Sequence, residues 1–132
     1  MFKLGEIMDK NRLNSLNPIV LAFVGDAVYS LFVREKLIFA TDSKTGELNN
    51  KAVSEVRATA QAGFVNEIIG LFTEEELAVY KRARNAKKTT RSKSASVAEY
   101  NMSTGFEAVL GYLYLSGNTD RLNFLLNKGN II

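Results

Sequence analysis

Residues 18–37 read PIVLAFVGDAVYSLFVREKL, an almost continuously apolar stretch. Asn17 precedes Pro18; asparagine is a favoured residue immediately before a helix, and proline is well suited to the first turn. The pair predicts a helix that begins at Pro18 and ends near Leu37, where Arg34, Glu35 and Lys36 close the last turn. Because apolar side chains occur on nearly every side, we expect this helix to be buried at the centre of the protein.

Helical spacing and capping residues recur along the rest of the chain. Thr73, with Glu76 three residues later, forms the pattern of a capping box. No segment alternates between apolar and polar residues as a half-buried strand would. The sequence therefore predicts an all-α helical bundle, with residues 1–132 forming one domain. The other predicted elements are two short helices between Glu47 and Gly70, a helix from Glu74 to about Ala86, a long helix from Val97 to Leu115, and a last helix that begins at Asn118 or Thr119.

The composition narrows the chemistry, because the chain contains no cysteine and no histidine. Thiolate nucleophiles, disulfides, the usual zinc sites and imidazole catalysis are thereby excluded. No apolar run reaches the roughly 18 residues of a membrane-spanning helix, and the opening MFKLGEIMDK carries acids where a signal peptide would be apolar. We therefore expect a cytoplasmic protein without a membrane partner, whose catalysis, if any, uses carboxylates, hydroxyls, lysine or a hard metal ion.

Positive charge is concentrated between positions 81 and 98, which hold seven basic residues and no acidic one. The rest of the chain has ten basic and fourteen acidic residues, so the net charge of +3 is the sum of a basic stretch and an otherwise acidic protein. Residues 87–96, KKTTRSKSAS, are predicted to form an exposed loop. This distribution favours a polyanionic partner, although a solvated loop that only aids solubility is the alternative. The basic residues are Lys81, Arg82, Arg84, Lys87, Lys88, Arg91 and Lys93.

Two carboxylates stand inside otherwise apolar helices. Asp26 follows Gly25 in the middle of the first long helix, where we expect it to be partly desolvated, and Glu107 lies in FEAVLGYLYL, residues 106–115. If the two helices bring these acids together, oxygen ligands of this kind suit Mg²⁺ or Mn²⁺. The alternative is that each acid pairs with a basic side chain or caps a neighbouring backbone.

These two segments carry a resemblance to a known family. LAFVGDAVYSLFVRE resembles the signature helix of ribonuclease III, whose pattern is ERLEFLGDAVL, and FEAVLGYLYL resembles that family's second acidic helix, DxxEAxxGAxYLD. The length, the KRARNAK segment and STGFEAVLGYLYL are most similar to the short bacterial form that lacks a double-stranded RNA binding domain. The matched residues are Leu21, Phe23, Gly25, Asp26, Ala27, Val28, Glu107, Ala108, Gly111, Tyr114 and Leu115.

The chain departs from the long family members at two acidic positions. A second Glu four residues before the signature Asp is replaced by Ala22, and a second Asp three residues before the later Glu is replaced by Thr104. The short form is similar in lacking such acids. The remaining ligands of a metal ion would then be water, Thr104 or the RNA phosphate.

The resemblance implies a homodimeric endoribonuclease that cuts double-stranded RNA with a stagger and trims precursor of the large-subunit (23S) ribosomal RNA. Asp26 and Glu107 would be the catalytic and metal-binding residues, holding Mg²⁺, or Mn²⁺ as a substitute, for phosphodiester hydrolysis. The RNA-binding residues would be Arg82, Arg84, Lys87, Lys88, Arg91 and Lys93. Two alternatives remain open: a structured-RNA-binding helical dimer that does not cut, and a structural dimer in which both acids form salt bridges.

Overall fold

The fold is described from a computed structural model, which covers residues 3–40, 44–56, 58–88 and 96–128. All regular structure in these ranges is helical. The α-helices are α1 (Lys10–Ser15), α2 (Pro18–Ala40), α3 (Thr45–Val56), α4 (Ala58–Ile68), α5 (Glu74–Asn85), α6 (Val97–Leu115) and α7 (Thr119–Leu126), and a short 3₁₀ turn, Ile69–Leu71, follows α4. The all-α prediction is therefore confirmed.

Local capping explains why several helices begin where they do. The Asn17 Oδ1 atom accepts a hydrogen bond from the Ile19 N–H at 2.9 Å, as the Asn17–Pro18 pair predicted. The predicted capping box of Thr73 and Glu76 is present at the start of α5. A second capping box, Ser96 with Glu99, opens α6, and Asp9 caps the short helix α1; neither was predicted, although both have the usual sequence pattern.

Helix α6 occupies the centre of the bundle. It packs against α2, α4, α5 and α7, and almost every residue from Ser103 to Leu113 is buried. Tyr29 of α2, Phe64 of α4 and Phe106 of α6 form an aromatic cluster whose ring centroids are 5.2–6.0 Å apart. This cluster joins the three helices from which the candidate site is built.

The expectation that α2 is buried on all sides is wrong. One face packs on α6, but the opposite face is exposed, because no other helix among the described residues covers it. Along this face runs an apolar stripe, Val20, Phe23, Ala27, Leu31 and Ile38, spaced to lie on one side of a helix. Phe23 is 80% exposed and Ile38 is 66% exposed.

None of the helices in the described ranges combines the length and the apolar character that a membrane span requires.

Candidate active site

Helices α2 and α6 touch backbone to backbone at a pair of glycines. A Cβ atom placed on Gly25 would lie 1.6 Å from the carbonyl oxygen of Glu107, and one placed on Gly111 would lie 2.0 Å from the carbonyl oxygen of Leu21. No real Cβ can occupy either position, so glycine is required at both for the helices to approach this closely. The contact places Asp26, which follows Gly25, beside Glu107 on the neighbouring helix.

The carboxylates of Asp26 and Glu107 are within hydrogen-bonding reach of each other. Their environments differ, since Asp26 is exposed and Glu107 is mostly buried. The expected partial desolvation of Asp26 is therefore wrong: its side chain lies beside the open face of α2, next to the exposed Phe23. The desolvated acid of the pair is Glu107, because α6 is the central helix.

Burial, followed by the neighbouring Asp26 carboxylate, raises the pKa of Glu107 from its ordinary value of 4.5 to about 9. A hydrogen bond from Gln61 opposes this effect. The pKa of Glu107 is raised because desolvation and a second carboxylate both disfavour a negative charge there. A cation between the two acids would reverse that preference.

Gln61 reaches the pair from a third helix. It lies on α4, is 2% exposed, and places its side-chain Nε2 3.3 Å from Glu107 Oε2. Gln61 was not among the site residues predicted from the sequence. In the sequence Gln61 is simply a polar residue between the small residues Ala60 and Ala62. This pattern does not distinguish a site residue from an ordinary residue on a helix surface.

The two positions where the long family members carry further acids are buried. Ala22 is 5% exposed, and the hydroxyl of Thr104 donates a hydrogen bond to the Tyr100 carbonyl at 3.0 Å. Among the residues that the structure describes, no group of three or more acidic side chains could hold a metal ion. The donor set is therefore a pair of carboxylates. Such a pair fits Mg²⁺, which commonly binds one or two carboxylates and completes its shell with water and substrate phosphate.

The basic residues divide into two groups by their contacts. Arg82 and Lys87 are exposed near the end of α5, and Arg84 lies over the Tyr80 ring at 5.6 Å. The Lys88 ammonium instead donates to the carbonyls of Ala83, Arg84 and Ala86 at 2.7–2.8 Å and so caps the end of α5. Desolvation lowers the pKa of Lys88. Arg91 and Lys93 lie outside the described residues.

Comparison with known proteins agrees with this fold. The Ribonuclease III domain family matches residues 19–118 of the chain. The chain therefore belongs to the ribonuclease III family and is an endoribonuclease of that type.

Several individual proteins of known sequence or structure are similar to most of this chain. The chain is 44% identical to the Mini-ribonuclease 3 of Clostridium tetani, over 93% of this chain and 82% of that protein. It is 44% identical to the Mini-ribonuclease 3 of Streptococcus pneumoniae, over 87% of this chain and 91% of that protein. A crystal structure of a Fusobacterium nucleatum protein superposes with a TM-score of 0.78 at 30% identity and covers 87% of this chain and 92% of that one.

Proposed function

We propose that the chain hydrolyses phosphodiester bonds in double-stranded RNA with the help of a divalent cation held by Asp26 and Glu107. One observation carries this proposal. Two carboxylates on separate helices lie within hydrogen-bonding reach, and desolvation together with the neighbouring Asp26 raises the pKa of Glu107 to about 9. Neighbouring carboxylates repel each other, so folded proteins tend to separate or neutralise them. Paired acids with perturbed pKa values are typical of sites that act on a ligand.

In this proposal Asp26 and Glu107 bind Mg²⁺, for which Mn²⁺ is a possible substitute. The cation supplies positive charge that offsets the negative charge developing on the scissile phosphate and makes water a better nucleophile. Asp26, at the open surface, contacts solvent and is accessible to the RNA. Glu107 projects from the central helix α6, whose backbone is held in place by packing against four other helices.

The basic end of α5 is proposed to contact the RNA backbone. A-form RNA is recognised mainly through its shape, phosphates and 2′-hydroxyls, so a basic surface without base-specific side chains suits it. Arg82, Arg84 and Lys87 supply charge at this end of the molecule, and Arg91 and Lys93 follow in the same stretch of sequence. Lys88 contributes by capping α5 and so shapes the surface rather than extending from it.

We also propose that the enzyme is a homodimer formed through the apolar stripe on α2. The stripe extends along a 23-residue helix, and an exposed apolar face of that length is typical of a protein–protein interface. A twofold axis at this face would place two copies of Asp26 close to the interface, one from each protomer, which matches the approximate twofold symmetry of an RNA duplex. Cleavage of both strands with a stagger would follow.

The natural substrate is proposed to be precursor of the large-subunit (23S) ribosomal RNA, processed in the cytoplasm. This substrate is supported by the resemblance to the short bacterial form. A transcript in which the two ends of the precursor pair as a duplex tests it. We expect cleavage at discrete positions in that transcript, whereas uniform degradation or no cleavage would contradict the assignment.

The general activity is tested by incubating the protein with perfect double-stranded RNA, with and without Mg²⁺. We expect short staggered products only when Mg²⁺ is present, and none from Asp26→Asn or Glu107→Gln. Single-stranded RNA of the same sequence is the substrate control. If the duplex is retained without being cut, the chain is an RNA-binding protein instead; if it is neither bound nor cut, its role is structural.

A further inference from the structure

Four polar or charged side chains are buried in the described part of the chain: Gln61, Glu76, Ser103 and Thr104. Three have contacts that serve the fold. Glu76 completes the cap of α5 and accepts two hydrogen bonds from Arg121 at 2.8 Å, while Ser103 and Thr104 both donate to the carbonyl of Tyr100. Gln61 differs from these three, because its amide reaches a carboxylate of the candidate active site.

The surroundings of Gln61 do not favour a polar group. Phe64 and Val65, on the same helix, belong to the apolar core, and α4 packs against α6 at this level. Burying a primary amide there is unfavourable unless the amide is hydrogen-bonded, and an apolar side chain of the same length would pack without that penalty. The amide meets this condition by donating to the Glu107 carboxylate, so its polar group is tied to the candidate active site.

We infer that Gln61 is a positioning residue for RNA cleavage, whose side-chain amide holds the Glu107 carboxylate facing Asp26. The inference rests on the proposed function. An amide suits this task because it is a neutral donor. It restrains one carboxylate oxygen, at 3.3 Å, without neutralising the charge that binds the cation. Lysine or arginine at the same place would restrain Glu107 equally well but would compete with the cation for it.

The variant Gln61→Met tests this role, since it removes the donor while keeping the length and most of the volume of the side chain. At saturating Mg²⁺ we expect kcat to fall about tenfold or more, as is typical when a partner of a metal-binding residue is removed. The KM for duplex RNA should stay within about twofold, because Gln61 is buried away from the RNA surface. Mn²⁺ titration of the RNA-free protein, followed by electron paramagnetic resonance, should show affinity weakened by about tenfold.

A second variant and a packing control make the test specific. Gln61→Asn keeps the amide but is one methylene shorter, so it should show the same loss of Mn²⁺ affinity. Val65→Ala, at a fully buried position of α4, should lower the melting temperature while kcat and Mn²⁺ affinity stay at parent values. Parent kcat and Mn²⁺ affinity in a folded Gln61→Met protein would overturn the inference. So would an equal loss of Mn²⁺ affinity in Val65→Ala, since that would assign the effect to packing.

Failure of this inference is distinguishable from failure of the proposed function. If Glu107→Gln is inactive and Gln61→Met is fully active, only the positioning role is wrong. If Glu107→Gln itself cuts RNA at the parent rate, the catalytic assignment is wrong, and the inference about Gln61 is overturned with it.

Discussion

The carbonyl oxygen of Glu107 lies 1.6 Å from the position that a Cβ on residue 25 would occupy, so Gly25 and Glu107 define the distance between helices α2 and α6. The same contact is repeated one helical turn along α6, where Gly111 meets the carbonyl of Leu21. The glycines thus determine more than packing. They set the separation of the two helices that carry Asp26 and Glu107, and so the distance across which the proposed cation would be shared.

Substituting Gly25 with alanine should separate the two helices and disrupt the site. The added methyl group meets backbone atoms, which cannot rotate away as a flexible side chain would. We expect the free energy of unfolding, measured in urea, to fall by about 3 kcal/mol or more, and cleavage of double-stranded RNA to be lost. Gly63→Ala is the matched control.

Gly63 lies within α4, and nothing lies within 4 Å of a Cβ placed on it. Gly63→Ala should therefore raise the free energy of unfolding by about 0.5–1 kcal/mol through helix propensity, with cleavage unchanged. A Gly25→Ala protein as stable and active as the parent would show that the α2–α6 contact is looser than described.

Without metal, the stability of the protein should decrease as pH rises from about 5 to 9. In the folded state the pKa of Glu107 is about 9, against an ordinary value of 4.5, so in this range the native protein retains a proton that the unfolded chain has released. The free energy of unfolding then falls with pH by up to about 1.4 kcal/mol per pH unit. Glu107→Gln removes the titrating group and should flatten this part of the profile, as thermal melts in EDTA would show.

Adding Mg²⁺ at pH 8 should raise the melting temperature of the parent protein, because a ligand that binds only the folded state stabilises it. Glu107→Gln should show little or no such increase. If instead Glu107→Gln melts far below the parent in EDTA, the carboxylate forms a structural ion pair that the variant has broken.

The neighbours Lys87 and Lys88 should behave differently when each is replaced by methionine. Lys88→Met removes the ammonium that binds three carbonyls at the end of α5, so we expect a loss of about 1 kcal/mol of stability and unchanged RNA affinity. Lys87→Met should leave stability within about 0.5 kcal/mol, while the slope of log affinity against log salt falls by about one. Equal effects of the two variants on the salt dependence would contradict this division.

Placing a charge in the apolar stripe of α2 should convert the proposed dimer to a monomer. Phe23→Glu and Leu31→Glu each put a carboxylate where the interface would exclude water. Sedimentation at micromolar concentration should show the parent as a dimer and both variants as monomers. Leu71→Glu, which changes an exposed leucine outside the stripe, should remain dimeric. A monomeric parent protein would show that this surface has another role.

Much of the secondary structure was predictable because its signals are local. Asn17 with Pro18, and Thr73 with Glu76, mark helix starts through hydrogen bonds to residues two or three positions away. The second predicted helix was placed from Glu47, and it begins at Thr45. Asp26 and Glu107 were also recognisable as candidate site residues, because each is an acidic residue within an otherwise apolar helix.

Only the tertiary structure decided how each of these residues is used. Asp26 is exposed, although its apolar neighbours in the sequence indicated partial desolvation, and Glu107 is the mostly buried acid of the pair, because α6 rather than α2 is central. The contact between Gln61 and Glu107 spans 46 residues of sequence. Periodicity shows which residues share a face of a helix, but which faces meet depends on the fit between distant segments, and here that fit is set by two glycines.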